Sequence, residues 1–210
     1  LVFDRLRSRS ERLLRPITYA LSDTPPSTLS WMSFTFAVLT GLSIYFTGLR
    51  SLYLLPVALI LLAISGLMDA LDGAVARATG SASVKGDFLD HVLDRYSDIA
   101  IIAGFTFSSL TTHTDLGLFA LAGVLMASYL GTQSQAVGLR RNYGGPLGRA
   151  DRIVIMLLAI IIEIFLVLIH APMASLLSLT TFDWLLLLFA VLGNITALYR
   201  AAAAWRMLHS

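Results

Sequence analysis

Six apolar stretches recur along this 210-residue chain, each with about the twenty residues that a helix rising ~1.5 Å per residue needs to cross ~30 Å of hydrocarbon. They run roughly from Thr28 to Gly48, Leu52 to Arg77, Gly86 to Leu110, Asp115 to Gly138, Arg149 to Ile169 and Phe182 to Met207. So much spanning length leaves little chain for a separate globular unit. Composition agrees, since 57% of the residues are hydrophobic and only 13% charged, against about 25% charged in soluble domains. The sequence predicts an all-α integral membrane protein with six transmembrane helices. The first stretch is too long, and lacks the small-residue cleavage pattern, for a removable signal peptide.

Ahead of the first stretch, Phe3, Leu6, Leu13, Leu14 and Ile17 fall near one helical face and arginines fill much of the rest. This pattern predicts an amphipathic juxtamembrane helix over residues 1–22, lying among lipid headgroups, with residues 23–210 forming one six-helix catalytic domain. Asp23-Thr24-Pro25-Pro26 separates the two. Of the fifteen Lys and Arg residues, fourteen fall before span one, in the links after spans two and four, or near the end; Arg50 alone falls on the other side. The positive-inside rule then puts both termini and those links in the cytoplasm, in keeping with a multi-pass protein of the plasma membrane. Trp31, Trp184 and Trp205 lie near span ends, as interfacial aromatics do.

The formal charge of +2 and the scatter of basic residues among apolar runs argue against nucleic acid as a partner. With no cysteine, disulfides, thiolate catalysis and cysteine-held metals are excluded.

Six of the thirteen acidic residues, Asp69, Asp72, Asp87, Asp90, Asp94 and Asp98, fall within thirty positions at the predicted cytoplasmic ends of spans two and three. Carboxylates so near hydrocarbon need partners. Asp69 and Asp72 are three apart and Asp90 and Asp94 four apart, so each pair shares a helical face, and two antiparallel helices bring the pairs together. Four anionic oxygen donors repel one another without a hard divalent cation among them, and all-oxygen ligation suits Mg²⁺ or Mn²⁺. Gly73 and Gly86 clear space where a substrate or helix approaches. Arg77, one turn past Gly73, can orient phosphate oxygens with its forked donors. The competing reading is that these aspartates cap helices, pair with Arg77, Lys85 and Arg95, or sit in a solvated loop; it is strongest for Asp87 and Asp98.

The order and spacing of Asp69, Asp72, Gly73, Ala76, Arg77, Gly86, Asp90 and Asp94 resemble in full the signature of the CDP-alcohol phosphatidyltransferase family. The resemblance implies that Asp69, Asp72 and Asp90 bind metal and that Asp94 contacts it too while serving as catalytic base. It also implies that Gly73, Ala76 and Arg77, with Asp69 and Asp72, hold the CDP group of a CDP-lipid donor, and that the protein is a homodimer. Asp94 would take the proton from an acceptor alcohol, whose oxygen attacks the lipid-linked phosphorus as CMP departs. Family members often carry P-N-x-x-[ST] before span one. Here Pro26-Ser27-Thr28-Leu29-Ser30 has serine at the asparagine position, and Ser30 is the matching CDP contact.

For the acceptor, a small polar alcohol, Arg149 and Arg152 share a face at the start of span five and Arg200 in span six can meet them across the bundle. Together they can clamp a phosphate; the alternative is ordinary positive-inside flanking. Prokaryotic inositol-phosphate-using members resemble this arrangement, although Gly131 and Gln133 stand where those members carry charge after a serine-tyrosine pair, here Ser128-Tyr129. The expected acceptor is an inositol phosphate, giving a phosphatidyl- or archaetidylinositol phosphate, ahead of glycerol 3-phosphate and then serine. His91 points off the face shared by Asp90 and Asp94, which favours packing or support over ligation, and Glu163, deep in span five, favours pairing over catalysis. Two rivals from other classes are a cation or proton transporter and a structural protein whose acids only pair with arginines. A transporter's sites belong near the bilayer midplane, whereas these acids cluster at helix ends.

Overall fold

In lipid a segment must pair its own backbone polar groups, and helices do so residue by residue. The computed structural model describes residues 15–47, 52–171 and 176–208, and these are helical throughout their apolar stretches. A short helical stretch at 15–20 precedes α1 (Pro26–Phe46), α2 (Leu54–Thr79), α3 (Val84–Thr106), α4 (Thr114–Ala136), α5 (Arg149–Leu168) and α6 (Thr181–Leu208). Each falls within a few residues of its predicted stretch. Most of the expected amphipathic helix lies outside the described residues.

The helix ends are set by local chemistry. Pro26 opens α1, where its missing N–H costs nothing. Gly80, left-handed at φ 65°, closes α2. Ser83 caps α3 by accepting the Gly86 N–H at 3.1 Å. Before α6, Thr180 and Asp183 cap each other reciprocally: the Asp183 carboxylate accepts the Thr180 N–H at 2.9 Å and the Thr180 hydroxyl accepts the Asp183 N–H at 3.2 Å.

Helix α1 packs on α2 and α3, α4 on α6, and α5 on α2 and α6. Small residues make the closest approaches. A Cβ on Gly41 of α1 would strike the Ala100 carbonyl of α3, one on Gly104 would strike Gly41, and Gly123 of α4 faces Gly193 of α6 in the same way. Such contacts drive helix association where apolar burial gives no advantage over lipid. Across α1 and α2, the Ser33 hydroxyl donates to the Ser65 carbonyl at 3.0 Å and the Ser65 hydroxyl donates back to Ser33 at 2.9 Å. A continuous apolar core runs through all six helices, with Phe105 edge-to-face on Phe182 at 4.8 Å between ring centroids. Large apolar side chains such as Leu118, Leu158, Phe165 and Leu198 point outward and are exposed, as suits a surface against lipid.

Four helices, α1, α2, α4 and α6, are long and apolar enough to cross a membrane by length and composition, which fits an all-α protein of the membrane. Helices α3 and α5 fall short of that apolarity because they carry the charge: Lys85, Asp87, Asp90, Asp94, Arg95 and Asp98 on one, Arg149, Asp151, Arg152 and Glu163 on the other. Those are the two helices that face the acidic cluster of α2.

Candidate active site

The last turns of α2 and the first turns of α3 turn their aspartates toward each other at one end of the bundle, where Leu29 of α1 packs on Leu71 and Val75 of α2. There one carboxylate oxygen each from Asp69, Asp72 and Asp90 lie within 4.8 Å of one another. The three- and four-residue spacings therefore do converge from two helices. Asp94, one turn beyond Asp90, shares a second group with Asp90 and His91. Asp72 and Asp94 are buried, and Asp69 and Asp90 partly so. In the Asp69, Asp72 and Asp90 group the donors are all hard oxygens, a set that fits Mg²⁺ or Mn²⁺ and not a soft metal.

Two interactions hold these carboxylates in place. The Ser30 hydroxyl of α1 donates to Asp72 Oδ2 at 2.8 Å. From α5, Arg149 reaches Asp69 Oδ1 at 3.0 Å and also contacts Asp94, so one guanidinium links the two ends of the acidic row. The residue expected to touch acceptor thus touches the proposed base as well.

Two cavities open from the cluster and share Asp72, Gly73, Arg77 and Asp90 as their common wall. One, of about 470 Å³, lies between the start of α1 and the α2–α3 link and is lined by Ser27, Ser30, Ala76, Lys85 and Gly86 among others. The Arg77 guanidinium lies over Gly73, where a Cβ would come within 3.1 Å of its Nη1, so a side chain at Gly73 would crowd it. Of the residues expected to hold CDP, Ser30, Asp72, Gly73, Ala76 and Arg77 border this space, while Asp69 lines the other cavity. The other cavity, of about 490 Å³, runs from Asp69 and Asp94 to Arg149, Arg152 and Arg200, three side chains brought together from α5 and α6 as expected. Arg95, Arg141 and Tyr143 line it too, and these were not foreseen as site residues.

Sequence spacing also missed how the arginines are held. Asp98, expected to cap, to pair with Arg77, Lys85 or Arg95, or to be solvated, is buried and accepts a hydrogen bond from Arg152 Nη2 at 2.7 Å. Arg200 donates to the carbonyls of Gly144 at 2.8 Å and Ala127 at 2.6 Å. Its path passes Gly131, where a Cβ would stand 3.0 Å from Arg200 Nη1; the glycine found in place of an expected charge leaves room for this arginine. His91 sets its Nδ1 3.7 Å from Asp90 and its Nε2 2.5 Å from Arg141 Nη1, a supporting position. Glu163 is fully buried in α5.

Known proteins are similar to this chain in sequence and fold. The family model described as CDP-alcohol phosphatidyltransferase matches residues 24–196. The chain is 34% identical over 167 residues to an archaetidylinositol phosphate synthase of Aeropyrum pernix, covering 78% of this chain and 82% of that one. It is 37% identical over 152 residues to the synthase of the same name from Methanothermobacter thermautotrophicus, covering 70% and 69%. Among solved structures, the Mycobacterium tuberculosis phosphatidylinositol phosphate synthase with CDP-DAG bound superposes with a TM-score of 0.74 at 25% identity, covering 92% of this chain and 94% of that one. The same synthase in complex with manganese and citrate matches with a TM-score of 0.73 at 26% identity.

Proposed function

The chain belongs to the CDP-alcohol phosphatidyltransferase family and is a transferase of phospholipid biosynthesis, not an ion path or a scaffold; from that premise we propose that it moves a phosphatidyl or archaetidyl group from a CDP-lipid to an inositol phosphate. The observation that carries this reading is the pair of cavities joined at the carboxylate cluster, one flanked by the CDP signature and the other rich in arginine. Relatives named archaetidylinositol phosphate synthase and phosphatidylinositol phosphate synthase support the acceptor. Glycerol 3-phosphate is the next candidate, since it offers the same phosphate charge, and serine follows.

In this mechanism Asp69, Asp72 and Asp90 would hold Mg²⁺ or Mn²⁺, with Asp94 at the edge of the set. When bound, the cation offsets charge on the pyrophosphate and on the departing CMP. Gly73 and Ala76 let the nucleotide approach the α2 backbone, while Arg77 orients phosphate oxygens and Ser30 holds Asp72 in position. Asp94 accepts the proton of the acceptor hydroxyl; that oxygen bonds to the lipid-linked phosphorus, and the bond from phosphorus to the CMP oxygen breaks. Arg149, touching both Asp69 and Asp94, aims the base. Arg149, Arg152 and Arg200 together draw the acceptor's phosphate into the second cavity.

The same reading has six spans, including the charged α3 and α5, an amphipathic helix over 1–22 on the lipid surface, and a catalytic unit over 23–210. Fourteen of fifteen basic residues on one side support cytoplasmic termini and a plasma-membrane site open to the cytoplasm, where CDP-lipid headgroups and soluble acceptors meet; a homodimer follows the family. The test is purified protein in lipid nanodiscs with a CDP-lipid and a panel of alcohols, CMP release being measured with Mg²⁺, with Mn²⁺ and after chelation. Metal-dependent release with inositol phosphate is the expected result. Release only with an unphosphorylated alcohol would overturn the acceptor, and no release with any alcohol would overturn the mechanism.

A further inference from the structure

The three arginines expected to hold the acceptor enter its cavity with much of their donor capacity engaged. Arg149 is committed to Asp69 and Asp94, Arg152 Nη2 to Asp98, and Arg200 Nε and Nη1 to two backbone carbonyls. A guanidinium has five N–H donors in a fixed fork, so each arginine already tied down keeps only part of that fork for a ligand. A phosphate monoester carries close to two negative charges and several acceptor lone pairs near neutral pH, and needs forked donors to satisfy them.

Two other arginines line the same cavity under different conditions. Arg95, on α3 one position past Asp94, lies near Asp98 and Asp90 but makes no direct hydrogen bond or ion pair among the described residues, and it is half-buried at the cavity wall. Arg141 comes from the segment between α4 and α5. His91 Nε2 at 2.5 Å, itself 3.6 Å from Asp87, and the Tyr143 ring, 5.0 Å from the guanidinium carbon, hold it over the cavity, and among the described residues no carboxylate lies within ion-pair distance of it. An imidazole edge and an aromatic face orient a guanidinium and leave part of its donor fork for a ligand. On α4 itself, Gly131 and Gln133 bring no charge.

We propose that Arg95 and Arg141 are specificity-determining residues that grip the acceptor's phosphate, completing the site that Arg149, Arg152 and Arg200 begin. The assignment rests on the phosphorylated-acceptor reading given above. It makes the segment from 137 to 148 part of the active site, delivering from a loop the positive charge that α4 lacks.

The experiment measures CMP release by nanodisc-embedded protein carrying Arg95→Gln, Arg141→Gln, Arg95→Lys, Arg141→Lys or, as a control on the exposed neighbour outside the cavity, Arg140→Gln. Inositol phosphate and CDP-lipid are varied in turn. Losing one charge-assisted contact should raise KM for inositol phosphate by about tenfold or more in each glutamine variant. KM for CDP-lipid should stay within about twofold, which also shows that the variant is folded. Each lysine variant should recover part of the loss and Arg140→Gln none of it should show. A wild type active with inositol phosphate whose glutamine variants keep an unchanged acceptor KM would overturn this assignment alone; so would equal rises in both KM values, which mark a general disturbance. A wild type that releases CMP with no phosphorylated alcohol would overturn the acceptor reading and this assignment together.

Discussion

Helix α3 begins beside a cluster of aspartates and leads, past its far end, to a single buried one, and the two places treat a carboxylate in opposite ways. Beyond that far end, Asp183 is fully buried and its carboxylate accepts five hydrogen bonds, from the N–H and hydroxyl of Thr112, the N–H of His113, and the N–H and hydroxyl of Thr180. Every lone pair is used, and the link between α3 and α4 is pinned to the start of α6. At the near end, Asp69, Asp72 and Asp90 crowd their oxygens within 4.8 Å, and neutral donors to Asp72 are few: the Ser30 hydroxyl and the Gly73 N–H. A carboxylate saturated by fixed dipoles is a structural anchor, whereas carboxylates facing one another with few donors call for positive charge, of which Arg149 on Asp69 supplies only a part. The same side chain is thus mortar at one end and chemistry at the other.

The sharpest way to break this contrast is to remove charge at each end and ask whether stability or turnover responds. Asp94→Asn keeps the shape of the base but cannot take a proton, so turnover should fall by about a thousandfold with little change in thermal unfolding of the detergent-solubilised protein. Retained CMP release in this variant would end the role of Asp94 as base. Asp90→Asn should weaken the cation site more than the fold, so that the Mn²⁺ concentration giving half-maximal release rises about tenfold or more; an unchanged metal requirement would remove Asp90 from the ligand set.

At the other end the expected response is inverted. Asp183→Ala leaves several buried donors without an acceptor, which should destabilise the fold by about 3 kcal/mol, read as a lower thermal midpoint. The fraction that remains folded should turn over at the wild-type rate. A turnover defect at full stability would mean that the two ends are not separate in kind.

How far each end was legible in the sequence follows from the range of its interactions. The near end is written in local spacing: three- and four-residue intervals put Asp69 with Asp72 and Asp90 with Asp94 on shared faces, and antiparallel α2 and α3 did the rest. The helices were equally legible, because length and hydropathy are summed over twenty residues and tolerate errors at the ends. Asp183 carried no such signal, since three of its five donors come from residues 112 and 113, some seventy positions away. Asp98 with Arg152 and Arg141 with His91 are hidden for the same reason: each pair spans separate helices or a loop, and no period in the chain links them. Charge also masks apolarity in α3 and α5, because Asp94, Asp98, Arg152 and Glu163 are buried inside the bundle and lower the hydropathy of the helices that carry them.

The finest test lies where the two treatments of a carboxylate overlap. Asp72 belongs to the reactive cluster, yet it takes a structural hydrogen bond from Ser30 across the α1–α2 contact. Ser30→Ala removes that donor and leaves the acid and the cation-facing geometry of Asp69 and Asp90 in place. If Asp72 serves chiefly as a ligand, the bound cation compensates for the lost donor, and the variant should lose about 1 kcal/mol of stability in chelator and less when Mn²⁺ is saturating. Because Ser30 also borders the cavity flanked by the CDP signature, KM for CDP-lipid should rise a few-fold, on the order of one lost neutral hydrogen bond, with kcat nearly unchanged. A stability loss that Mn²⁺ does not reduce would place Asp72 with Asp183 among the anchors, leaving the cation to Asp69, Asp90 and Asp94.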